Sequence, residues 1–170
     1  MTEDADDLWG MDLPPLKGVA CTFCQDSPHM KWKRNFRLTD IQSMLNERGH
    51  KTGPIKEISV VDRNRSGRID HLKIISRDAQ ELVLSGKDFR DIMGPNVLKS
   101  NNYEIVMQGY YVDFIGKGWG HGVGLCQWGA RGMALQQFTY KQILSYYYPR
   151  SEMTDYHALR DDRPTPARDK

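Results

Sequence analysis

The spacing of apolar residues changes several times along the chain, and each change marks an element. Residues 1–20 keep no period and read as an irregular lead-in with Trp9 and the Pro14-Pro15 pair. Residues 21–37 carry Cys21 and Cys24 and then a basic run, KWKRNFR, read as a solvated strand or loop with aromatics at Trp32 and Phe36. Thr39-Asp40-Ile41-Gln42 has the form of a capping box. It predicts a helix to about Arg48, with Ile41, Met44 and Leu45 on the buried face and Gly49 closing it. Ile55–Asp62 and Arg68–Arg77 are β-rich, and Arg63–Gly67 between them suits a hairpin turn. Glu81–Leu84 predicts a third short strand. Ser85, three residues ahead of Asp88, then caps a helix with Phe89, Ile92 and Met93 that stops at Gly94-Pro95. Tyr103–Met107 and Tyr110–Ile115 predict a strand pair about Gln108-Gly109. A glycine-rich loop follows, then a helix from about Leu125 to Gln137. Thr139 should cap a last helix, with Ile143, Leu144 and Tyr147 inward, before Pro149 ends it.

Hairpins and short helices in this order predict an α+β, strand-rich domain over residues 1–150; without β-α-β alternation, a doubly wound sheet is excluded. Residues 151–170 are polar and Pro-containing, and read as a flexible tail. At 170 residues the chain has room for one core and not for two comfortable ones. Its 24 basic and 22 acidic residues leave a net charge of +2, which argues against a nucleic-acid partner. No apolar run reaches the length of a membrane span, and the acidic MTEDADD start is not a signal peptide.

The most informative stretch is GKGWGHGVGLCQWGA, with glycine at every second position from 116 to 124. The Gly-Lys-Ser/Thr ending of a phosphate loop is missing, and so is the spacing of a dinucleotide fingerprint. Alternating glycines predict one nearly bare face, which lets another chain or a flat ligand come close. The opposite parity carries Lys117, Trp119, His121 and Val123. A groove lined by Lys117, Trp119, His121, Gln127 and Trp128 suits a sugar polymer, which offers apolar ring faces and many hydroxyls. Lys117 and Gln127 would bond hydroxyl or N-acetyl groups, and Trp119 or Trp128 would stack on a ring. The competing expectation is that the glycines only let a loop pack tightly under a helix.

Three cysteines cannot all pair within one chain, so Cys21 and Cys24 read as a metal or redox pair. A structural zinc would need four ligands; His29, His121 and Cys126 are the other candidates here. Two free buried thiols are the plain alternative. Cys126 also falls near a helix N-terminus, where thiolate is favoured, with His121 five residues before it. That arrangement admits a Cys–His peptidase or amidase as a rival reading.

GKGWGHGVGLCQWGARGMA followed by TYKQILSYYYP closely resembles the signature of the stage II sporulation protein D and amidase enhancer family. LSGKDFRDIMGPNVLKSNNYEI, CTFCQDSPHMKW and TEDADDLWG also resemble it, in the family's order, so the likeness runs from Thr2 to Pro149. The resemblance implies lytic transglycosylase chemistry on the glycan strands of peptidoglycan, as part of cell-wall remodelling and, in sporulating relatives, engulfment. It also implies an amidase as a candidate partner and a site in the bacterial envelope outside the cytoplasmic membrane. An acid protonates the glycosidic oxygen and the sugar's own 6-hydroxyl attacks, so no carboxylate nucleophile is needed, unlike ordinary glycosidases. No cofactor is required for that. In the family the acid is a glutamate near the start of the domain in a Glu-Met context, and none of Glu3, Glu47, Glu57, Glu81, Glu104 or Glu152 has it. No catalytic acid is therefore assigned, and a catalytically silent glycan-binding module or amidase enhancer is the alternative. This chain departs from the family at Gln137 and Arg150, where glycine is common, at Tyr146, where many have histidine, and at Cys126, commonly serine. Some relatives also have a histidine and a cysteine just ahead of the position of Thr2, which would complete a zinc site with Cys21 and Cys24.

Overall fold

The computed structural model describes residues 1–154. In chain order the elements are α1 (Ala5–Trp9), β1 (Trp32–Arg37), α2 (Leu38–Glu47), β2 (Ile55–Arg63), β3 (Ile69–Ser76) and β4 (Glu81–Ser85). Then come α3 (Gly86–Met93), β5 (Tyr103–Gln108), β6 (Tyr111–Gly116), α4 (Gln127–Leu135) and α5 (Tyr140–Tyr147). The strands form two antiparallel three-stranded sheets, ordered β1-β6-β5 and β2-β3-β4. The expected α+β class is what the chain adopts.

Burial follows period two through β1, β5 and the later part of β3. In β3, Ile69, Leu72, Ile74 and Ser76 are buried, and Ile74 and Leu72 lie opposite Ile58 and Val60 of β2 and Leu82 and Leu84 of β4. The 64–68 turn is shaped by the Asn64 side chain, whose Oδ1 accepts from the backbone N–H groups of Ser66 and Arg68. The basic run is strand β1, and it is more than a solvated edge. Trp32 is buried, Phe36 packs against the core, and the alternate positions Lys33, Asn35 and Arg37 are exposed. Both sheets share one core that also takes Leu38, Ile41 and Leu45 from α2 and Phe89 and Met93 from α3. A smaller apolar cluster sits apart, where α4 and α5 meet the 19–23 segment around Met133, Ile143 and Tyr147.

Several termini follow the sequence pattern and others depart from it. Ser85 accepts from the Asp88 N–H at 3.0 Å, as a cap should. Thr139 and Gln142 form a full capping box. The expected box at Thr39 does not form. β1 runs straight into α2, so Arg37 takes the extended N-cap position without a side-chain bond and Thr39 is already inside the first turn. Gln42 is used elsewhere, donating to the Thr52 carbonyl at 3.1 Å. The irregular lead-in contains a short helix, α1, capped by Asp4 and closed by Gly10 at φ 63°. The helix expected from Leu125 begins at Gln127, because Cys126 takes the N-cap position, and its last residue is Leu135. Residues 151–154 are exposed and lack regular structure; the rest of the expected tail, 155–170, lies outside the described residues. No helix among the described residues is long and apolar enough to cross a membrane.

Candidate functional site

The glycine-rich loop leaves the end of β6 and is tied down from three directions. The Lys117 N–H donates to the Asn102 carbonyl at 2.8 Å, that of Gly118 to His29 at 2.9 Å, and that of Gly120 to Lys99 at 2.8 Å. The Trp32 indole N–H donates to the Gly118 carbonyl at 2.9 Å, and the Ser100 hydroxyl to that of Lys117 at 2.6 Å. Further on, Glu3 and Val123 form a parallel bridge, with the Glu3 N–H on the Gly122 carbonyl at 2.9 Å. With its backbone groups engaged in this way, the loop is a fixed platform.

The bare face expected from glycine alternation is only partly there. Gly118, Gly120, Gly122 and Gly124 have φ between 75° and 106°. The backbone therefore coils through a conformation that L side chains rarely adopt, and strand parity does not apply. A Cβ at Gly116 would run into the Trp32 ring, and one at Gly122 into the Arg68 guanidinium. Gly118 and Gly120, by contrast, have nothing within 4 Å of a Cβ position. The open stretch is the middle of the loop; its flanks are glycine because other side chains fill the space.

Trp119 stands between those two glycines and is 52 % exposed, enough to leave a large part of the indole for a ligand. Its ring meets His29 edge-on with centroids 4.5 Å apart, and the Lys99 ammonium lies 5.2 Å from its centroid. Lys99 also donates to His29 Nδ1 at 3.2 Å. His121 accepts the Val123 N–H on Nδ1 at 3.0 Å, and its ring lies 5.7 Å from that of Trp9. Partial burial lowers the His121 pKa, and the positive charges of Arg90 and Arg68 act the same way. A neutral ring with Nδ1 accepting carries its proton on Nε2 and so offers one donor. Lys117 is exposed beside Gly118. Gln127 and Trp128 are on the first turn of α4, where the Trp128 ring faces the Arg131 guanidinium at 5.3 Å. The structure thus gathers Trp119 with His29 and Lys99, and His121 with Trp9, while Gln127 and Trp128 belong to the helix beyond. His29, Lys99 and Trp9 were not among the expected groove residues. They arrive from distant segments, and no local pattern marks them.

Behind the loop is a buried charge pair. Glu3 Oε1 accepts from the Asn64 amide at 2.6 Å, and Oε2 lies 3.4 Å from Arg68 Nε. The side chains are 3 % and 12 % exposed, and neither Oε2 nor Nε has a hydrogen-bond partner among the described residues. Burial raises the Glu3 pKa, opposed by the Arg68 charge and the Asn64 bond. Burial likewise lowers that of Arg68. A raised pKa is what a general acid needs, but this carboxyl is sealed under Arg68 and offers a substrate no approach. The other five glutamates are exposed.

Cys21, Cys24 and Cys126 converge, their three Sγ atoms all within 4.8 Å of one another. Neither His29 nor His121 joins them. Cys126 Sγ accepts from the Gly129 N–H at 3.3 Å as the α4 N-cap. The helix N-terminus nevertheless does not make it the thiolate, because its contact with Cys21 and its burial push its pKa up. Cys21 is pushed down to about 5, chiefly through its hydrogen bond with Cys126. His121 makes no hydrogen bond to Cys126, so the arrangement lacks the base–nucleophile pair of a Cys–His enzyme.

A family model described as a domain of unknown function (DUF8618) matches residues 22–124. The chain is 27 % identical over 158 residues to stage II sporulation protein D of Bacillus subtilis, covering 93 % of this chain and 43 % of that protein. The chain belongs to the stage II sporulation protein D and amidase enhancer family. An uncharacterized protein of Brachyspira hyodysenteriae is 30 % identical over 95 % of the chain and 42 % of its own length. The amidase enhancer of Bacillus subtilis is 35 % identical over 69 residues, 41 % of this chain and 10 % of that protein. The chain therefore spans less than half the length of these family members.

Gln137 has φ 66° and Arg150 φ 68°, left-handed backbone that a glycine would adopt without a steric cost. Gln137 occupies the C′ position of a Schellman closure, its N–H bonded to the Ala134 carbonyl and that of Phe138 to Met133. Tyr146 donates its hydroxyl to the Ala20 carbonyl and ties α5 to the lead-in.

Proposed function

We propose that this chain seats peptidoglycan glycan strands during remodelling of the bacterial cell wall, in the envelope outside the cytoplasmic membrane. It serves lytic transglycosylase-type cleavage in which the general acid is not one of its own residues. The observation that carries this reading is the open backbone at Gly118 and Gly120 on either side of the half-exposed Trp119. A pyranose ring presents C–H groups on its faces, which pack on an indole, and its equatorial hydroxyls reach donors and carbonyls around it.

The cations support a particular form of the substrate. A glycan stripped of its stem peptides exposes a lactyl carboxylate on each muramic residue. Lys99 lies over Trp119 and the exposed Lys117 is two residues before it on the loop, so an acidic strand on the indole meets the Lys99 ammonium with a second cation close along the chain. Neutral His121 adds an N–H donor without further charge.

A second reading is a silent glycan-binding module that stimulates a partner amidase. It is favoured by the burial of Glu3, which keeps that carboxyl from a substrate, and by the likeness to the amidase enhancer. Incubating the purified chain with peptide-free glycan strands tests both. The expected result is co-sedimentation with the strands and no release of 1,6-anhydro ends. Anhydro products from the chain alone would overturn the assignment of the acid elsewhere, and failure to co-sediment would overturn both readings.

A further inference from the structure

We infer that a cleft at the end of the β1-β6-β5 sheet remote from the glycine loop receives an acidic peptide segment of a partner protein. β6 starts at Tyr111 and ends at Gly116, where the glycine loop leaves, so about 17 Å of strand separates the two places. The cleft has a volume of about 470 Å³ and lies between the β5–β6 turn, the start of α2 and the segments around Pro54 and Arg77. Ligand sites typically measure roughly 300–1,000 Å³.

The walls of the cleft are held together by backbone bonds. The Leu38 N–H donates to the Tyr110 carbonyl at 3.0 Å, and the Arg77 N–H to the Pro54 carbonyl at 2.8 Å. Strand register sets Arg37 opposite Tyr111 across the β1–β6 pair. The Arg37 guanidinium lies 5.9 Å from the Tyr111 ring centroid, and that of Arg77 lies 5.8 Å from the Tyr110 centroid. Both rings are exposed, Tyr110 at 73 %. Two cations are thus stacked on two tyrosines at the rim of one preformed cleft.

The charge there is one-sided. Arg37 and Arg77 line the cleft, and no carboxylate is among the lining residues. Arg63, Arg68 and Arg131 each have a carboxylate oxygen within 3.4 Å, whereas neither Arg37 nor Arg77 forms a salt bridge among the described residues. Stacking occupies the flat face of a guanidinium and leaves its N–H edge free to grip a carboxylate through two parallel bonds. Leu38, Pro54 and Ile55 give the remaining lining an apolar character. A peptide with carboxylates spaced by apolar side chains matches both features, while a bare phosphate group matches only the charge. Whether the glycine loop binds glycan does not affect this site.

The test uses the full chain and a short dye-labelled synthetic peptide of alternating glutamate and leucine, followed by fluorescence anisotropy. Wild type should bind it saturably, and replacing its glutamates by glutamine should weaken binding about tenfold or more. Arg37→Ala and Arg77→Ala should each cost about tenfold, and Arg77→Lys should restore only part of it, because an ammonium lacks the paired N–H edge. No binding by wild type, or equal affinity for the glutamate and glutamine peptides, would overturn the site; both are read on the unaltered chain, whether or not the variants fold. Affinity unchanged in both alanine variants would place the peptide elsewhere and overturn the cleft. Tripolyphosphate that displaces the probe as well as unlabelled peptide does would overturn the peptide in favour of a phosphate ligand. Equal displacement by stem peptides released from peptidoglycan would overturn the partner protein as its source. Displacement by peptide-free glycan strands would overturn the separation of this cleft from the glycine loop.

Discussion

Replacing Arg68 by alanine tests how the loop is supported from behind. The guanidinium fills the space beside Gly122, donates to the Ser66 hydroxyl at 2.9 Å, and is the positive partner of a carboxylate only 3 % exposed. Removing one member of a buried ion pair costs about 3–5 kcal/mol, mostly because the other charge is left uncompensated. The Glu3 Oε2 to Arg68 Nε contact is 3.4 Å and is not a formed hydrogen bond, so the lower end applies, about 3 kcal/mol. For a chain of this size that is a fall in Tm of about 6–12 °C. The pH dependence identifies the cause. The Glu3 pKa is already raised in the folded state, and loss of Arg68 raises it further. A carboxyl with a raised folded pKa contributes stability that is present below its unfolded value and is lost as pH rises through the folded one. The Arg68→Ala penalty should therefore be full near about pH 8 and shrink toward about pH 5 as Glu3 takes up a proton, leaving about 1–2 kcal/mol for lost packing and hydrogen bonds. Urea unfolding of wild type and variant at both pH values measures this. Adding Glu3→Gln to Arg68→Ala should recover part of the loss at the higher pH. A penalty independent of pH, or one that grows toward acid, would refute the buried-charge explanation.

Other substitutions probe the strained and the crowded glycine positions. Gln137→Gly should stabilise the chain by about 1 kcal/mol, since it removes a left-handed residue with a side chain from a helix closure; thermal unfolding shows it, and a loss of stability would contradict the strain. Gly116→Ala should destabilise by about 3 kcal/mol or more, because its methyl group and the Trp32 ring cannot share that space. Restored stability in Gly116→Ala with Trp32→Leu would confirm the clash.

The sheets could be read from the chain because burial in them follows the period of a strand. Leu72, Ile74 and Ser76 alternate into the core, and Ser85 and Thr139 cap the helices that follow them. Local rules failed where two elements abut. Thr39 has a capping sequence, yet the strand before it leaves no turn in which to act as a cap. In the glycine loop, a parity argument assumes extended backbone, and four glycines with positive φ remove that premise. Of the expected groove residues, Trp119 and His121 were legible as exposed rings between glycines. Their partners Lys99, His29 and Trp9 were not, because those contacts join segments distant in sequence. The same holds for Glu3 with Arg68 and for Cys126 with the Cys21–Cys24 pair. The strain at Gln137 could be anticipated only from the glycine that the resemblance implies there.

In the proposed function, Trp119 and the open backbone beside it seat an acidic sugar strand. The most direct test of this role is the affinity of peptide-free glycan strands for the wild-type chain and for Trp119→Ala, measured by titration calorimetry. Wild type should bind, and the variant, still folded but with a Tm a few degrees lower for its lost contacts with His29 and Lys99, should bind about tenfold or more weakly, a loss of about 1.4 kcal/mol. Equal affinity in the two proteins would contradict it.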